Sequence, residues 1–161
     1  MEIIKNYLDT NYFEDLKNKI LIEQNFPFFY NDVIVNKNDQ KKLTDFYFFH
    51  IIYENLTPQS EAFNLLNPFF IKLKIKSLIR VKVNLYTRTE EIIKHNMHTD
   101  FPFEHKGAIL SLNTCDGGTW VENKFVKSEE NQVIFFDPSK PHCSTSCTDN
   151  QVRVNIIFNY F

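Results

Sequence analysis

His98-Thr99-Asp100 sets an imidazole and a carboxylate two residues apart. In an extended segment both project from the same face, where they can grip one metal ion. Two donors do not make a site, and with 5 His and 20 acidic residues such a pair arises readily by chance. Alone it reads equally well as a hydrogen-bonded surface pair. A third donor is available in His142, after the turn Asp137-Pro138-Ser139-Lys140-Pro141 and at the head of an extended stretch. His50, His95 and His105 have no partner at ligand spacing and are read as structural or surface groups.

Two imidazoles and one carboxylate on one face of an octahedron make the facial triad that holds non-haem Fe(II), with three positions left open. Two of these suit a chelating 2-oxo acid and the last suits O2. Zinc hydrolysis uses the same donor set, so the triad alone leaves both chemistries open. Arg153 separates them. In the run 151–158, Val152, Val154, Ile156 and Phe158 share one face, while Arg153, Asn155 and Ile157 share the other. An arginine facing inward from an apolar strand is costly unless an anion meets it. The far carboxylate of a 2-oxo diacid fits its two-pronged donor fork. A structural salt bridge to an internal acid is the plainer alternative.

The elements that must position these residues change character along the chain. From Tyr12 to Gln24, Phe13, Leu16 and Ile20 recur at helical spacing, with Thr10 or Asn11 as the cap. Phe26 to Tyr30 cannot continue that helix through Pro27 and is expected to begin an edge strand. The stretch 36–42 is a polar connection, and Phe46 to Tyr53 is read as a strand. Ser60 to Phe63 starts a helix, and Asn67-Pro68 starts another running to about Lys76. From Leu78 onward the period becomes two, as in Arg80 to Tyr86. Ala108–Asn113, Thr119–Glu122, Lys124–Lys127, Gln132–Asp137, His142–Ser146 and Gln151–Tyr160 also read as strands. Helices first and short strands later indicate an α+β chain with an antiparallel sandwich or barrel. Two of only 3 glycines adjoin in Asp116-Gly117-Gly118-Thr119, where a tight turn with positive φ is expected.

Composition bounds the reading. The 161 residues suit one domain, with residues 1–76 as mainly helical support and 77–161 as the β core. Hydrophobic residues make up 43% and aromatics 16%, which is globular composition. A net charge of −2 gives no general pull toward nucleic acid or anionic membrane. The longest apolar runs fall short of a membrane span, and Met1 to Asn6 lacks the apolar core of a signal peptide. Cys115, Cys143 and Cys147 form no CxxC and are read as reduced thiols, so a cytoplasmic location is expected.

From about Arg80 to the end the chain resembles the 2-oxoglutarate/Fe(II)-dependent oxygenase superfamily, and within it the prolyl-4-hydroxylase-like branch with its small bacterial and phage members. The matching features, in order, are His98-Thr99-Asp100, the strand ending Leu112-Asn113, the turn Asp116-Gly117-Gly118-Thr119, His142 and Arg153. The resemblance implies a double-stranded β-helix (a cupin-like jelly roll) with the N-terminal helices packed on one sheet. It implies Fe(II) on His98, Asp100 and His142, 2-oxoglutarate held through Arg153, and O2 as oxidant. That branch often places a tyrosine before the Leu-Asn pair to help hold the distal carboxylate; here the position is Ser111, which could donate a shorter hydrogen bond to it or leave the task to another residue. Tyr86 and Asn84, inward on the strand before the first ligand, are the substitutes, and Asn155 shares the face of Arg153.

By the resemblance the substrate is a peptidyl, prolyl-like residue. The alternatives are a free amino acid or small metabolite, a nucleic acid undergoing demethylation, and a non-catalytic cupin-like binding protein. Arg153-Val154-Asn155 resembles the start of the Arg-x-Asn signature of the AlkB group, but Asn159 stands where its second arginine would fall. Trp120 reads as rim or core packing, with a substrate platform as the sharper alternative. Arg80, Lys82 and Arg88 give a local basic character that could steer an acidic substrate, and a solvated strand face explains it as well.

Overall fold

Alternation in the C-terminal half builds two facing sheets. The computed structural model describes residues 1–32 and 46–161, so the polar connection expected at 36–42 lies outside the described residues. The first half contains β1 (Glu2–Ile4), α1 (Thr10–Lys17), β2 (Phe29–Asn31), β3 (Tyr47–Glu54), β4 (Thr57–Pro58) and α2 (Asn67–Leu73). The second contains β5 (Leu78–Thr87), β6 (Lys106–Ser111), β7 (Gly118–Val121), β8 (Lys124–Lys127), β9 (Val133–Phe136), β10 (His142–Ser144) and β11 (Val152–Tyr160). The large sheet runs β1-β9-β6-β11-β5-β3-β2, with β4 on β3, and the small sheet runs β10-β7-β8. Every pair is antiparallel.

The two faces of the large sheet have different work. On β11, Val154, Ile156 and Phe158 face outward and join Phe13, Leu16, Leu66 and Phe69 from the helical segments in the main core. The Phe69 and Phe158 rings lie 4.4 Å apart. Burying each such side chain contributes roughly 1.5–3 kcal/mol. Ile109, Ile134, Phe136 and Ile157 face the other way and meet Val121 and Val126 of the small sheet. The helices therefore pack on one face of the large sheet, and the space between the sheets holds a second apolar cluster and the polar cavity described below.

Several local expectations change. The first helix is capped by Asp9, whose carboxylate accepts from the Asn11 and Tyr12 amides, and not by Thr10 or Asn11. Its α-helical part ends at Lys17 and a wider π turn carries on to Ile22. Ser60 caps a 3-10 segment, Glu61–Leu66. The helix from Asn67 stops at Leu73 because Lys74 turns left-handed, short of Lys76. Strands β1 to β4 also precede residue 77, so the segment read as mainly helical supplies both ends of the large sheet as well.

The glycine pair departs most from expectation. Neither Gly117 nor Gly118 has positive φ; the β7–β8 hairpin turns instead through Glu122 (φ 49) and Asn123 (φ 65). The glycines are required by space. A Cβ on Gly117 would lie 2.2 Å from the Ser146 carbonyl oxygen, and one on Gly118 would lie 2.2 Å from that of Val126. Among the described residues no helix is long and apolar enough to cross a membrane.

Candidate metal centre

The two histidines are fixed to one another through the backbone. His98 N donates to the His142 carbonyl and His142 N donates to the His98 carbonyl, both at 2.9 Å. Asp100 N donates to the Pro138 carbonyl at 2.9 Å, so the segment 98–100 hangs on the turn that precedes β10. Within that turn the Asp137 carboxylate accepts from the Ser139 amide and hydroxyl at 3.0 and 2.6 Å. One potential ligand atom from each of His98, Asp100 and His142 lies within 4.8 Å of the others. His142 Nε2 and Asp100 Oδ2 are 3.9 Å apart.

The orientation of the His142 ring suits a metal. Its Nδ1 lies 3.0 Å from the Lys140 carbonyl oxygen, a partner that only an N–H can satisfy. With Nδ1 as the N–H, Nε2 faces the other two candidate ligands, and among the described residues this buried nitrogen has no hydrogen-bond partner. A ligand histidine whose second nitrogen is held by a carbonyl is the usual arrangement at metal sites. His98 Nδ1 faces the Asn96 carbonyl in the same way at 3.3 Å. Burial, followed by the neighbouring His142, pushes the His98 pKa down to about 4, which keeps the ring in the neutral form that binds metal. Burial alone would raise the Asp100 pKa, but Arg80, His142 and Asn159 outweigh it and hold the carboxyl below its ordinary range. The orphaned Nε2, the second imidazole and an ionised carboxylate fit a divalent ion.

Both oxygens of Asp100 have protein donors. Arg80 Nη2 donates to Oδ1 at 2.7 Å, and Asn159 Nδ2 donates to Oδ2 at 2.9 Å. Asn159 in turn lies 3.1 Å from His105 Nε2, and the Arg80 guanidinium sits 5.0 Å over the Phe101 ring. From the sequence Arg80 has only a steering role and Asn159 none, and the hold of both on Asp100 is missed. The signal was present: Arg80 shares the inward parity of Asn84 and Tyr86, and Asn159 that of Arg153 and Asn155.

Arg153 is 1% exposed, and among the described residues no carboxylate pairs with it. Its Nη1 donates to the Thr145 carbonyl at 3.1 Å and its Nη2 to Thr119 Oγ1 at 2.8 Å, while Nε is unpartnered. The salt bridge to an internal acid is therefore absent among the described residues. Five donors with two used leave the fork able to take a carboxylate. The seat for this arginine is the glycine stretch itself. Gly117 comes within 3.2 Å of the Arg153 side chain at its would-be Cβ, and Thr119 supplies the hydroxyl.

A cavity between the sheets is lined by the triad together with Asn84, Tyr86 and Asn155. Lys82, Tyr47, Thr119, Ser144, Ile109 and Ile157 complete its wall. Arg153 lies behind that wall, 5.4 Å from the Tyr86 ring and bonded to Thr119. Burial pushes the Tyr86 hydroxyl up to about 12 against the opposing pull of Arg153. Asn84 Nδ2 donates to Asn155 Oδ1 at 3.1 Å. Ser111 is buried in register with Asn155 but does not line the cavity. The structure thus brings Asn84, Tyr86 and Asn155 to the cavity and leaves Ser111 back from it. Trp120, opposite in parity to Thr119, sits outside against Lys94 (4.1 Å) and Phe125 (5.4 Å). The three cysteines are free and buried.

No protein-family model matches this chain, and no curated protein matches it in sequence. Solved structures do match. A prolyl hydroxylase from Trichoplax adhaerens, in complex with a hypoxia-inducible-factor oxygen-degradation-domain peptide, superposes with TM-score 0.68 at 16% identity, covering 99% of this chain and 82% of that one. The fold is that of the 2-oxoglutarate/Fe(II) oxygenases. A prolyl-4-hydroxylase from Pseudomonas putida gives TM-score 0.62 at 12% identity, over 99% and 90% of the two chains. A non-haem α-ketoglutarate-dependent epimerase from nogalamycin biosynthesis gives 0.66 at 14%, over 99% and 76%. Together with the two facing antiparallel sheets, these likenesses establish the double-stranded β-helix, or jelly roll, expected from the sequence.

Proposed function

We propose that this chain is an Fe(II)- and 2-oxoglutarate-dependent dioxygenase. The observation that carries the reading is the unpartnered His142 Nε2, aimed at His98 and Asp100 inside a fold whose known members include such oxygenases. His98, Asp100 and His142 hold the metal. Arg153 holds the distal carboxylate of 2-oxoglutarate through its remaining N–H groups, with Tyr86, Asn84 and Asn155 forming the wall beside it. Bound there with 2-oxoglutarate and O2, the iron supplies the oxidising chemistry that hydroxylates the substrate. The protein contributes geometry, a pair of imidazoles and a cavity shielded by Ile109 and Ile157.

The substrate proposed first is a peptidyl, prolyl-like residue, by analogy with the prolyl hydroxylases of the same fold. A free amino acid or small metabolite is the second reading, favoured by a cation, Lys82, that lines the cavity without an acidic partner among the described residues. Nucleic-acid demethylation has less support. Asn159 occupies the place of the missing second arginine and spends its amide on Asp100. A non-catalytic cupin-like role leaves the triad unexplained.

The experiment is an anaerobically loaded Fe(II) protein given 2-oxoglutarate and O2 with prolyl peptides and, separately, with small amino acids. A product heavier by one oxygen, formed with equimolar succinate, supports the reading. Tight zinc binding with hydrolysis and no succinate overturns it.

A further inference from the structure

The inward positions of β5 run Arg80, Lys82, Asn84, Tyr86, and three of the four have matched partners. Arg80 meets Asp100, Asn84 meets Asn155, and Tyr86 lies against Arg153. Lys82 does not. Its cross-strand neighbours are Ile157 on β11 and Ile51 on β3. Among the described residues its side chain makes one hydrogen bond, a long one of 3.3 Å to the Tyr47 hydroxyl, whose ring lies 5.3 Å from Nζ. That hydroxyl oxygen also takes Asn31 Nδ2 at 3.4 Å. Among the described residues no carboxylate pairs with Lys82, yet the side chain lines the same cavity as the metal triad. A half-buried ammonium with three donors, set between isoleucines, is stabilised when an anion meets it.

The charges of the proposed reaction do not supply that anion. Arg80 already offsets Asp100, the metal takes one carboxylate of 2-oxoglutarate, and Arg153 takes the other. Lys82 is left over, two residues along β5 from the arginine that holds Asp100, which is about 7 Å. We propose that Lys82 anchors a carboxylate of the primary substrate, so that the oxidised carbon lies within a few bonds of an acid group. The inference rests on the oxygenase reading and narrows its substrate class to carboxylic acids. The carboxylate can be a free α-carboxylate, as in a small acid or a chain end, or an acidic side chain beside the reacting residue.

Calorimetry on the intact protein, loaded with Mn(II) and 2-oxoglutarate, tests this with three probes. N-acetyl-L-proline carries an α-carboxylate, N-acetyl-L-prolinamide carries none, and N-acetyl-L-glutamic acid α-amide carries only a side-chain carboxylate. At least one carboxylate is expected to bind about tenfold or more tightly than the prolinamide, and the one that prevails identifies the source. Lys82→Met is expected to erase that preference, Lys82→Arg to retain most of it, and 2-oxoglutarate affinity to move less than about twofold in either variant. Lys82→Gln substitutes should Lys82→Met fail to fold. Equal binding of all three probes, or a preference that survives in the methionine variant, overturns the proposal. So does a Lys82→Met variant that loses 2-oxoglutarate instead, which assigns the lysine to the co-substrate. Failure of the Mn(II) wild-type protein to bind 2-oxoglutarate at all contradicts the oxygenase reading itself, and this inference falls with it.

Discussion

Arg80 Nη2 donates to Asp100 Oδ1 at 2.7 Å, which turns the other carboxylate oxygen toward His142 Nε2 at 3.9 Å. Asn159 braces that second oxygen from β11. A carboxylate held by two donors presents one oxygen to the metal in a fixed direction, as supporting residues do at other metal sites. Arg80→Met and Asn159→Ala are each expected to weaken Co(II) or Mn(II) binding by about 10–100-fold. Titration of metal-free protein checks this, and unchanged affinity in both variants contradicts the bracing role.

Arg153→Met is expected to raise the 2-oxoglutarate requirement strongly while leaving metal affinity nearly unchanged, because the guanidinium touches Thr145 and Thr119 and none of the three ligands. Arg153→Lys keeps the charge but loses the fork, so an intermediate loss is expected. Binding isotherms for 2-oxoglutarate on the Mn(II) protein separate the two effects. A loss of metal affinity equal to the loss of 2-oxoglutarate affinity contradicts the assignment.

Much of this was legible before the structure. Period-two alternation in Arg80 to Tyr86 and Gln151 to Phe158 announced which side chains face the cavity, because one face of each strand is uniformly apolar. The spacing His98-Thr99-Asp100 with His142 announced the three-residue cluster. What stayed hidden depends on contacts between distant strands. Arg80 looked like a solvated basic residue because its acid lies twenty positions away on a segment without regular structure. Asn159 looked like a missing arginine, when its amide donates directly to Asp100. Gly117 and Gly118 looked like turn residues, because local sequence cannot reveal the carbonyls of Ser146 and Val126 crowding them.

Gly117→Ala or Gly118→Ala is expected to destabilise the protein by roughly 1–3 kcal/mol through overpacking against those backbone carbonyls. Gly117→Ala also disturbs the seat of Arg153. Glu122→Gly, at φ 49, is expected to be neutral or stabilising by up to about 1 kcal/mol, since it relieves a left-handed residue. Urea unfolding of the three variants measures both. The reverse order, with the alanine variants tolerated and Glu122→Gly costly, contradicts the account of the hairpin.

The pH dependence of the metal-free protein follows from His98. Burial and His142 hold its folded pKa at about 4, below the 6.5 of an exposed imidazole. Between these values the unfolded chain binds the proton and the folded chain does not. Stability is therefore full above about pH 6.5 and declines as pH falls toward 4. Denaturation midpoints measured across that range are expected to drop with acid, and less steeply in His98→Gln. A flat profile contradicts the buried neutral ring.

The most direct measurement is succinate formation from 2-oxoglutarate by the Fe(II)-loaded protein under O2, compared with His142→Ala. The account predicts Fe(II)-dependent succinate from the wild-type protein and none above background from the variant, with the fold of both verified by circular dichroism. Equal succinate from both proteins, or none from a wild-type protein that binds Fe(II) and 2-oxoglutarate, would contradict it.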